Sequence, residues 1–448
     1  MTIALYEKAN HLKRQMLKYE KFDDSVKKLA YEIYCELEQK PDYSKSNNQK
    51  VKRAEDEEIN LNFFSNRERV DFLIEWTLDL SPILNIINEH CVFPLEQTCD
   101  NDFDTFIRNV YNDYFSELRK LPVTSTFDSS IINQMEKFGQ GIVNTIELYL
   151  DGSPSDAFGK FKEAMKILSE TVDIEKVLLH ENDAIRVPET FYRMRIGKNE
   201  FFTRKEMFHI PFEKRGIIQT NRYSIPGFPC LYLGSSSLVC WEELGRPDLN
   251  TVQTSALNLK DSKIKIMDLS ISPKEVADRV KELYELTYGG KTKFNFNDFF
   301  MTWVLIAACS IKVRHPKNVF KPEYIIPQFL LEWIRQSSDF RGICYLSTKY
   351  KSNSSNDYTI YKNYAFPVQT RKKKGHCQIL REVFEISEPV PWQTFQIYRG
   401  RPETTSLDTS FYIDESVQLI EDIDIPYKGT DFGRLEELLK RMKSKTII

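Results

Sequence analysis

The sequence predicts an α+β protein, with an all-helical N-terminal domain over residues 1–186 followed by a mixed α+β domain over 187–448. Three observations carry that expectation. Apolar residues recur at helical spacing in the first half, as in Leu29, Ile33 and Leu37 and again in Phe72, Leu73, Trp76 and Leu80. No glycine precedes Gly139. From about residue 188 the texture changes to short β-branched and aromatic runs separated by Gly, Pro and polar turns: TFYRMRI, PCLYLG, SKIKIMDL, RGICYLS and HCQILREVFEIS, all read as strands.

In chain order, the polar stretch from Pro41 to Glu58 mixes charges with turn formers and reads as a solvated loop. Helices are expected near 103–119, 130–150 and 157–170, the last opening after Ser153-Pro154-Ser155-Asp156. Among the strands lie helix-like segments at 235–245, 273–286, 298–310 and 323–337. They do not alternate with the strands as a doubly wound sheet requires, so an α+β arrangement fits better. The stretch GRLEELLKRMKSK, 433–445, is an amphipathic helix with a basic end, expected to pack on the main body.

Composition narrows the function classes. A chain of 448 residues exceeds one compact core, and two domains are expected. Its apolar fraction of 41% and charged fraction of 28% are ordinary for a globular protein, while 30 Phe and 22 Tyr make it rich in rings. A formal charge of -3 supplies no global field for a polyanion, so nucleic acid is not an expected partner. The basic run RKKKG, 371–375, reads as a solvated turn. Eight cysteines without a C-x-x-C pair read as reduced, buried thiols. Charged residues enter the N-terminus by Glu7, and no apolar run reaches eighteen residues, so a cytoplasmic protein without a membrane span is expected.

The residues that point to chemistry fall in FYRMRI and NRYSIPGFPCLYLGSSSLVCWEEL, which gather Arg193, Arg195, Arg222, Tyr223, Tyr232, Glu242 and Glu243 at strand ends and turns. Arginine's planar fork matches phosphate oxygens and keeps its charge when desolvated, so two arginines can clamp a pyrophosphate. Pro226 and Gly227 force a turn before the strand that carries Tyr232, whose ring points away from the face of Leu231 and Leu233. Gly234-Ser235-Ser236-Ser237 then opens a helix with a serine N-cap, and Glu242 and Glu243 fall near its end. A carboxylate there is disfavoured by the helix dipole, an inconsistency that functional sites tolerate. The same GSSS segment lacks the lysine of a phosphate-binding P-loop and the glycine spacing of a dinucleotide fold. His90, Cys91 and Cys99 offer donor atoms with no fourth ligand at a usual spacing, and no metal is expected.

In the order of these motifs the sequence resembles the RES domain family over about 188–390: an arginine closing an aromatic strand (Arg193), an arginine before a turn and strand (Arg222), a tyrosine in that strand (Tyr232), an acid ending the next helix, and a late serine in GICYLS (Ser347). The spacing of eleven from Tyr232 favours Glu243 over Glu242 as the family glutamate. The resemblance implies an ADP-ribosyltransferase-like fold, NAD as substrate and a toxin or antiviral defence role. It further implies that Arg193, Arg222 and Tyr223 bind the nucleotide, that Tyr232 borders the nicotinamide, and that Ser347 bonds the ligand or Glu243. Tyr345 shares the strand face of Ser347.

RES proteins of a larger subgroup share features such as His209-Ile-Pro211-Phe212 and carry a helical region ahead of the domain, some of it HEPN-like. Such a region is expected to regulate the enzyme and to meet an antitoxin or trigger protein, or a second copy of the chain. Arg204–His209 and Arg371–His376 match the loose R-x4-H pattern of HEPN ribonucleases, but both lie outside the helical region. The leading expectation is cleavage of NAD by a glycohydrolase or phosphorolase reaction. Transfer of ADP-ribose to protein or nucleic acid is the alternative within chemistry, and a non-catalytic nucleotide-binding module is the alternative outside it.

Overall fold

The computed structural model describes residues 7–12, 32–33, 80, 82–98, 100–121, 127–172, 190–197, 200–260, 264–271, 276, 296–336, 340–349, 359–370, 372–398, 416–420 and 423–447. Up to residue 172 these are helical apart from turns and connections. Of the apolar series read above, Ile33 and Leu80 are helical and buried. The rest of that series, the 41–58 stretch, the 273–286 segment apart from Val276, and the expected boundary at 186/187 lie outside the described residues.

The helices that lead into the strands include α1 (Phe103–Leu118), α2 (Ile132–Leu150) and α3 (Pro154–Thr171), after shorter helical stretches such as 82–90. Proline stands at the start of α3, where its missing N–H costs no intrahelical bond. The mixed region follows as β1 (Thr190–Ile196), β2 (Cys230–Gly234), α4 (Ser237–Glu243), β3 (Val252–Leu259), β4 (Ile266–Leu269), α5 (Phe296–Cys309), α6 (Ile325–Gln336), β5 (Gly342–Leu346) and β6 (Lys362–Pro367). It closes with α7 (Gln378–Val383), β7 (Phe384–Ile386), β8 (Val390–Pro391), α8 (Trp392–Tyr398), β9 (Ser416–Ile420), β10 (Ile423–Pro426), α9 (Asp431–Arg441) and β11 (Lys445–Thr446). The protein is α+β.

Two segments depart from the expected elements. In HCQILREVFEIS only Phe384–Ile386 is strand, because Gln378–Val383 winds into α7. The C-terminal helix stops at Arg441, and Lys445–Thr446 pairs instead with β7 at the sheet edge.

The chain forms two compact units, neither a single stretch: Met1–Val92, Val110–Glu136 and Ser272–Phe300 form one, and Phe93–Asn109, Lys137–Ile271 and Met301–Ile448 the other. The first packs around Tyr114, Phe127 and Phe300, with the Phe127 and Phe300 rings edge to face at 5.6 Å and the Tyr114 hydroxyl donating to the Phe300 carbonyl at 3.0 Å.

The second unit is built on a nine-stranded sheet in the order β11-β7-β3-β1-β2-β6-β5-β4, with β8 pairing on β3. Its pairs are antiparallel except β4 with β5. One face is apolar, with Phe191, Leu231, Leu233, Leu257, Tyr364, Phe366 and Phe384 buried together. Phe191 meets Tyr364 edge to face at 4.7 Å, and Phe366 meets Phe384 at 5.0 Å, contacts that add about 0.5–1.5 kcal/mol each beyond burial. The alternate residues, Tyr192, Tyr232 and Asn363, belong to the other face, which carries the candidate site.

Candidate functional site

The site is assembled where α4 ends beside β5 and β6. Ser236 caps α4, its hydroxyl accepting from the Val239 N–H at 3.0 Å, as the GSSS segment predicts. Gly234 turns the chain from β2 into that helix with no room for a side chain. A Cβ there would stand 2.6 Å from Val239 Cγ1 and 2.7 Å from Cys240 Sγ. Gly234→Ala is therefore expected to lower stability by about 1–3 kcal/mol through overpacking, read as a shifted denaturant midpoint with the slope unchanged.

The two acids at the end of α4 have different surroundings. Glu242 is buried and pairs with Arg246 at 2.8 Å, one helical turn on. Glu243 is exposed, and its Oε1 accepts from Ser347 Oγ at 2.6 Å and from Asn363 Nδ2 at 2.9 Å. Both donors belong to buried residues, so the carboxylate is held from beneath while its other side meets solvent. Of the two acids, Glu243 is the one that Ser347 meets directly. Asn363 is the addition. It lies on β6 opposite Tyr345 of β5 and Gly234 of β2, a position that only the strand register reveals.

The turn after β5 ties the site together. Ser347 reaches Glu243, Thr348 Oγ1 stands 3.5 Å from Arg222 Nη2, and Lys349 Nζ donates to the Glu242 carbonyl. That last contact places a cation at the C-terminus of α4, offsetting the dipole that disfavours the two glutamates.

Arg222 is buried and committed largely to the backbone. It donates from Nη1 to the Cys309 carbonyl at 3.2 Å and from Nη2 to the Ile311 carbonyl at 2.7 Å, with its guanidinium 5.3 Å from the Tyr324 ring centre. Tyr345 links this end of the site to the other. Its ring lies 4.5 Å from that of Tyr223, and its hydroxyl is pushed well above the ordinary value by burial and by the Glu243 carboxylate, with Arg222 opposing. Tyr232 faces the same side, its hydroxyl 3.0 Å from Ser224 Oγ. Arg222 and Glu243 thus both act on the Tyr345 and Tyr324 hydroxyls, from opposite signs of charge.

Arg193 stands apart from them. β1 and β2 share a single register pair, Tyr192 opposite Gly234, and alternation from that pair starts Arg193 on the face opposite Tyr232. Its guanidinium reaches the site's strand only at the Tyr232 carbonyl, to which Nη1 donates at 2.7 Å. Its Nε is buried without a hydrogen-bond partner among the described residues. Burial, reinforced by Arg195, lowers its pKa to about 10, which leaves it cationic at neutral pH.

The remaining sequence features have structural employment. His209 is buried, donates from Nδ1 to the Ile210 carbonyl at 2.8 Å and accepts the Cys377 N–H on Nε2 at 2.8 Å, and burial lowers its pKa to about 3. The His376 ring packs against it at 4.9 Å. Arg204 pairs with Glu388 at 2.6 Å, and Arg371 lies outside the described residues, as does Cys99. Burial pushes the Cys91 thiol well above its ordinary value, away from the thiolate a metal would need. Among the described residues no helix is long and apolar enough to cross a membrane.

No family model matches the chain, and no solved structure matches it. Over 442 residues, covering 98% of this chain and 98% of its counterpart, it is 51% identical to a protein of Bacillus subtilis (strain 168) named "Putative toxin YopC". Identity at that level across nearly the whole length shows a common fold and descent, and the chain belongs to the family of that Bacillus subtilis protein.

Proposed function

We propose that this protein is a toxin that consumes NAD by cleaving its nicotinamide–ribose bond. The observation that carries the reading is Glu243: a solvent-facing carboxylate aimed by Ser347 and Asn363, with Tyr345 within reach of its charge. The resemblance of residues 188–390 to RES domains supports the same chemistry, and the name of the Bacillus subtilis relative supports a toxic role.

In this reaction the bond from the ribose anomeric carbon to the pyridinium nitrogen breaks, and its electron pair leaves with nicotinamide. A new bond forms to water, phosphate or another acceptor oxygen, which gives up its proton. Positive charge grows on the ribose as the bond lengthens, and the fixed Glu243 carboxylate stabilises it. The same carboxylate is placed to take the acceptor's proton. The leaving group departs neutral, so neither a general acid nor a metal is needed.

Tyr232 and Tyr345 offer ring faces for the nicotinamide. The Nε–H of Arg193, buried without a partner among the described residues, is a donor that a phosphate oxygen would satisfy. Transfer to a protein or nucleic-acid acceptor uses the same geometry, and the exposure of Glu243 leaves its acceptor side open. A cell that makes such an enzyme needs a restraint on it, and an antitoxin acting through the helical segments is the partner this reading requires. The test is nicotinamide release from NAD by the purified chain, with and without added protein acceptors. Release is expected, labelled acceptor would indicate transfer, and no release together with tight NAD binding would replace the enzyme by a nucleotide-binding module.

A further inference from the structure

The helix that ends in Glu243 begins in an unusual seat. Its first residue, Ser237, donates its backbone N–H to Oε1 of Glu436 at 2.6 Å and its hydroxyl to the same oxygen at 2.9 Å. The Tyr427 hydroxyl donates to that oxygen as well, at 2.5 Å. Glu436 sits on α9, almost two hundred residues further along the chain, and is buried at 7% exposure. Phe432, one turn earlier on α9, packs its ring 5.6 Å from Trp241 of α4. A seven-residue helix has little stability of its own, so its orientation is set by what grips its ends. Lys349 and Ser347 hold the C-terminal end, and Glu436 holds the N-terminal one.

We propose that Glu436 is a positioning residue for Glu243: by gripping Ser237 it seats α4, which makes the C-terminal segment 427–441 part of the catalytic unit. The assignment rests on the reading of Glu243 as the catalytic carboxylate. A structural role alone would not require a carboxyl group here, since burying one opposes its ionisation. Burial raises the Glu436 pKa from 4.5 to about 7, against the lowering effect of its hydrogen bonds from Tyr427 and Ser237 and of the Lys440 charge. The other titratable groups facing it are Tyr192 of β1 and Cys240 of α4, both raised by burial and by the Glu436 charge, and Glu437 also acts on Tyr192. The seated form holds its proton more tightly than an open form with Glu436 in water. Seating is therefore strongest below about 4.5 and weakens as the pH rises through about 7.

The test compares nicotinamide release by the full-length wild type, Glu436→Gln and Glu436→Ala from pH 5.5 to 8.5, with amide hydrogen exchange at 237–243 in the same proteins. Glu436→Ala is expected to lose about tenfold or more in kcat with KM little changed, because a displaced carboxylate fails in the transition state. Glu436→Gln still offers an oxygen to Ser237, so it should retain most of the rate and lose the fall in activity that the wild type shows as the pH rises toward and through about 7. Equal kcat in all three proteins, or pH profiles of the same shape in wild type and Glu436→Gln, would overturn the proposal. If the wild type releases no nicotinamide, the reading of the reaction fails, and exchange decides the seat separately. Faster exchange at 237–239 in Glu436→Ala but not in Glu436→Gln upholds it, and unchanged exchange rejects it.

Discussion

Glu243→Gln is expected to reduce nicotinamide release by about 10²–10³-fold in kcat, the scale seen when one preorganised electrostatic group is removed from an active site. The substitution isolates charge from shape. A glutamine at this position keeps an oxygen able to accept from Ser347 and Asn363, so the side chain stays where those two donors hold it. In the proposed reaction, what disappears is the negative charge that would face the ribose and the site that would accept the proton. KM should change little, since the charge matters most once the glycosidic bond has lengthened. The control is its neighbour. Glu242 is buried and bonds Arg246 rather than Ser347 or Asn363, so Glu242→Gln should leave kcat near wild type. Steady-state release assays on both variants check the pair of expectations, and equal losses at the two positions would remove Glu243 from its assigned role.

Asn363 extends the same logic and shows where sequence reading stopped. The strands containing Arg193, Tyr232 and Tyr345, the serine cap of α4 and the place of Glu243 at its end were all legible, because each depends on neighbours within a few residues. Tyr232 could be assigned a face from its own strand, since Leu231 and Leu233 mark the core side. Neither the strand of Asn363 nor that of Val252–Leu259 was read. KNYAFP lacks a clean alternation because it is buried on both sides, and buried strands resemble other apolar runs.

Relations between strands are a different kind of information. Alternation fixes parity within one strand, but the relative phase of two strands is set by their register. The pairing of Tyr192 with Gly234 is what starts Arg193 on the face opposite Tyr232, and nothing local in TFYRMRI or CLYLG specifies it. HCQILREV was misread for a related reason. Its apolar positions Cys377 and Leu380 are three apart and both buried, which is helical spacing, while the strand signal of Phe384–Ile386 lies immediately after it.

The two arginines that the sequence suggests as one clamp are held by different groups, Arg193 by the Tyr232 carbonyl and Arg222 by the Cys309 and Ile311 carbonyls. The Arg222 side chain is buried, and its fork spans two carbonyls, those of Cys309 at the end of α5 and Ile311 just beyond it. Carbonyls at a helix C-terminus have no partners within the helix, and burial denies them water, so this guanidinium satisfies groups that would otherwise be orphaned. Arg222→Ala removes both hydrogen bonds, the contact with Tyr324 and the volume of the side chain. It should lower the free energy of unfolding by about 2–4 kcal/mol, read from urea titration.

Lysine is an incomplete replacement. It restores a charge but bonds as a point, unable to bridge the two carbonyls with a rigid fork, so Arg222→Lys should recover only part of the lost stability. A purely structural Arg222 would let a variant that remains folded in the cold turn over NAD with wild-type KM. An Arg222 that also faces the phosphates would raise KM in both variants, in proportion to the charge and geometry lost. Stability unchanged in Arg222→Ala would contradict the carbonyl contacts themselves, and a lowered stability with unchanged KM would leave Arg193 as the cation the nucleotide meets.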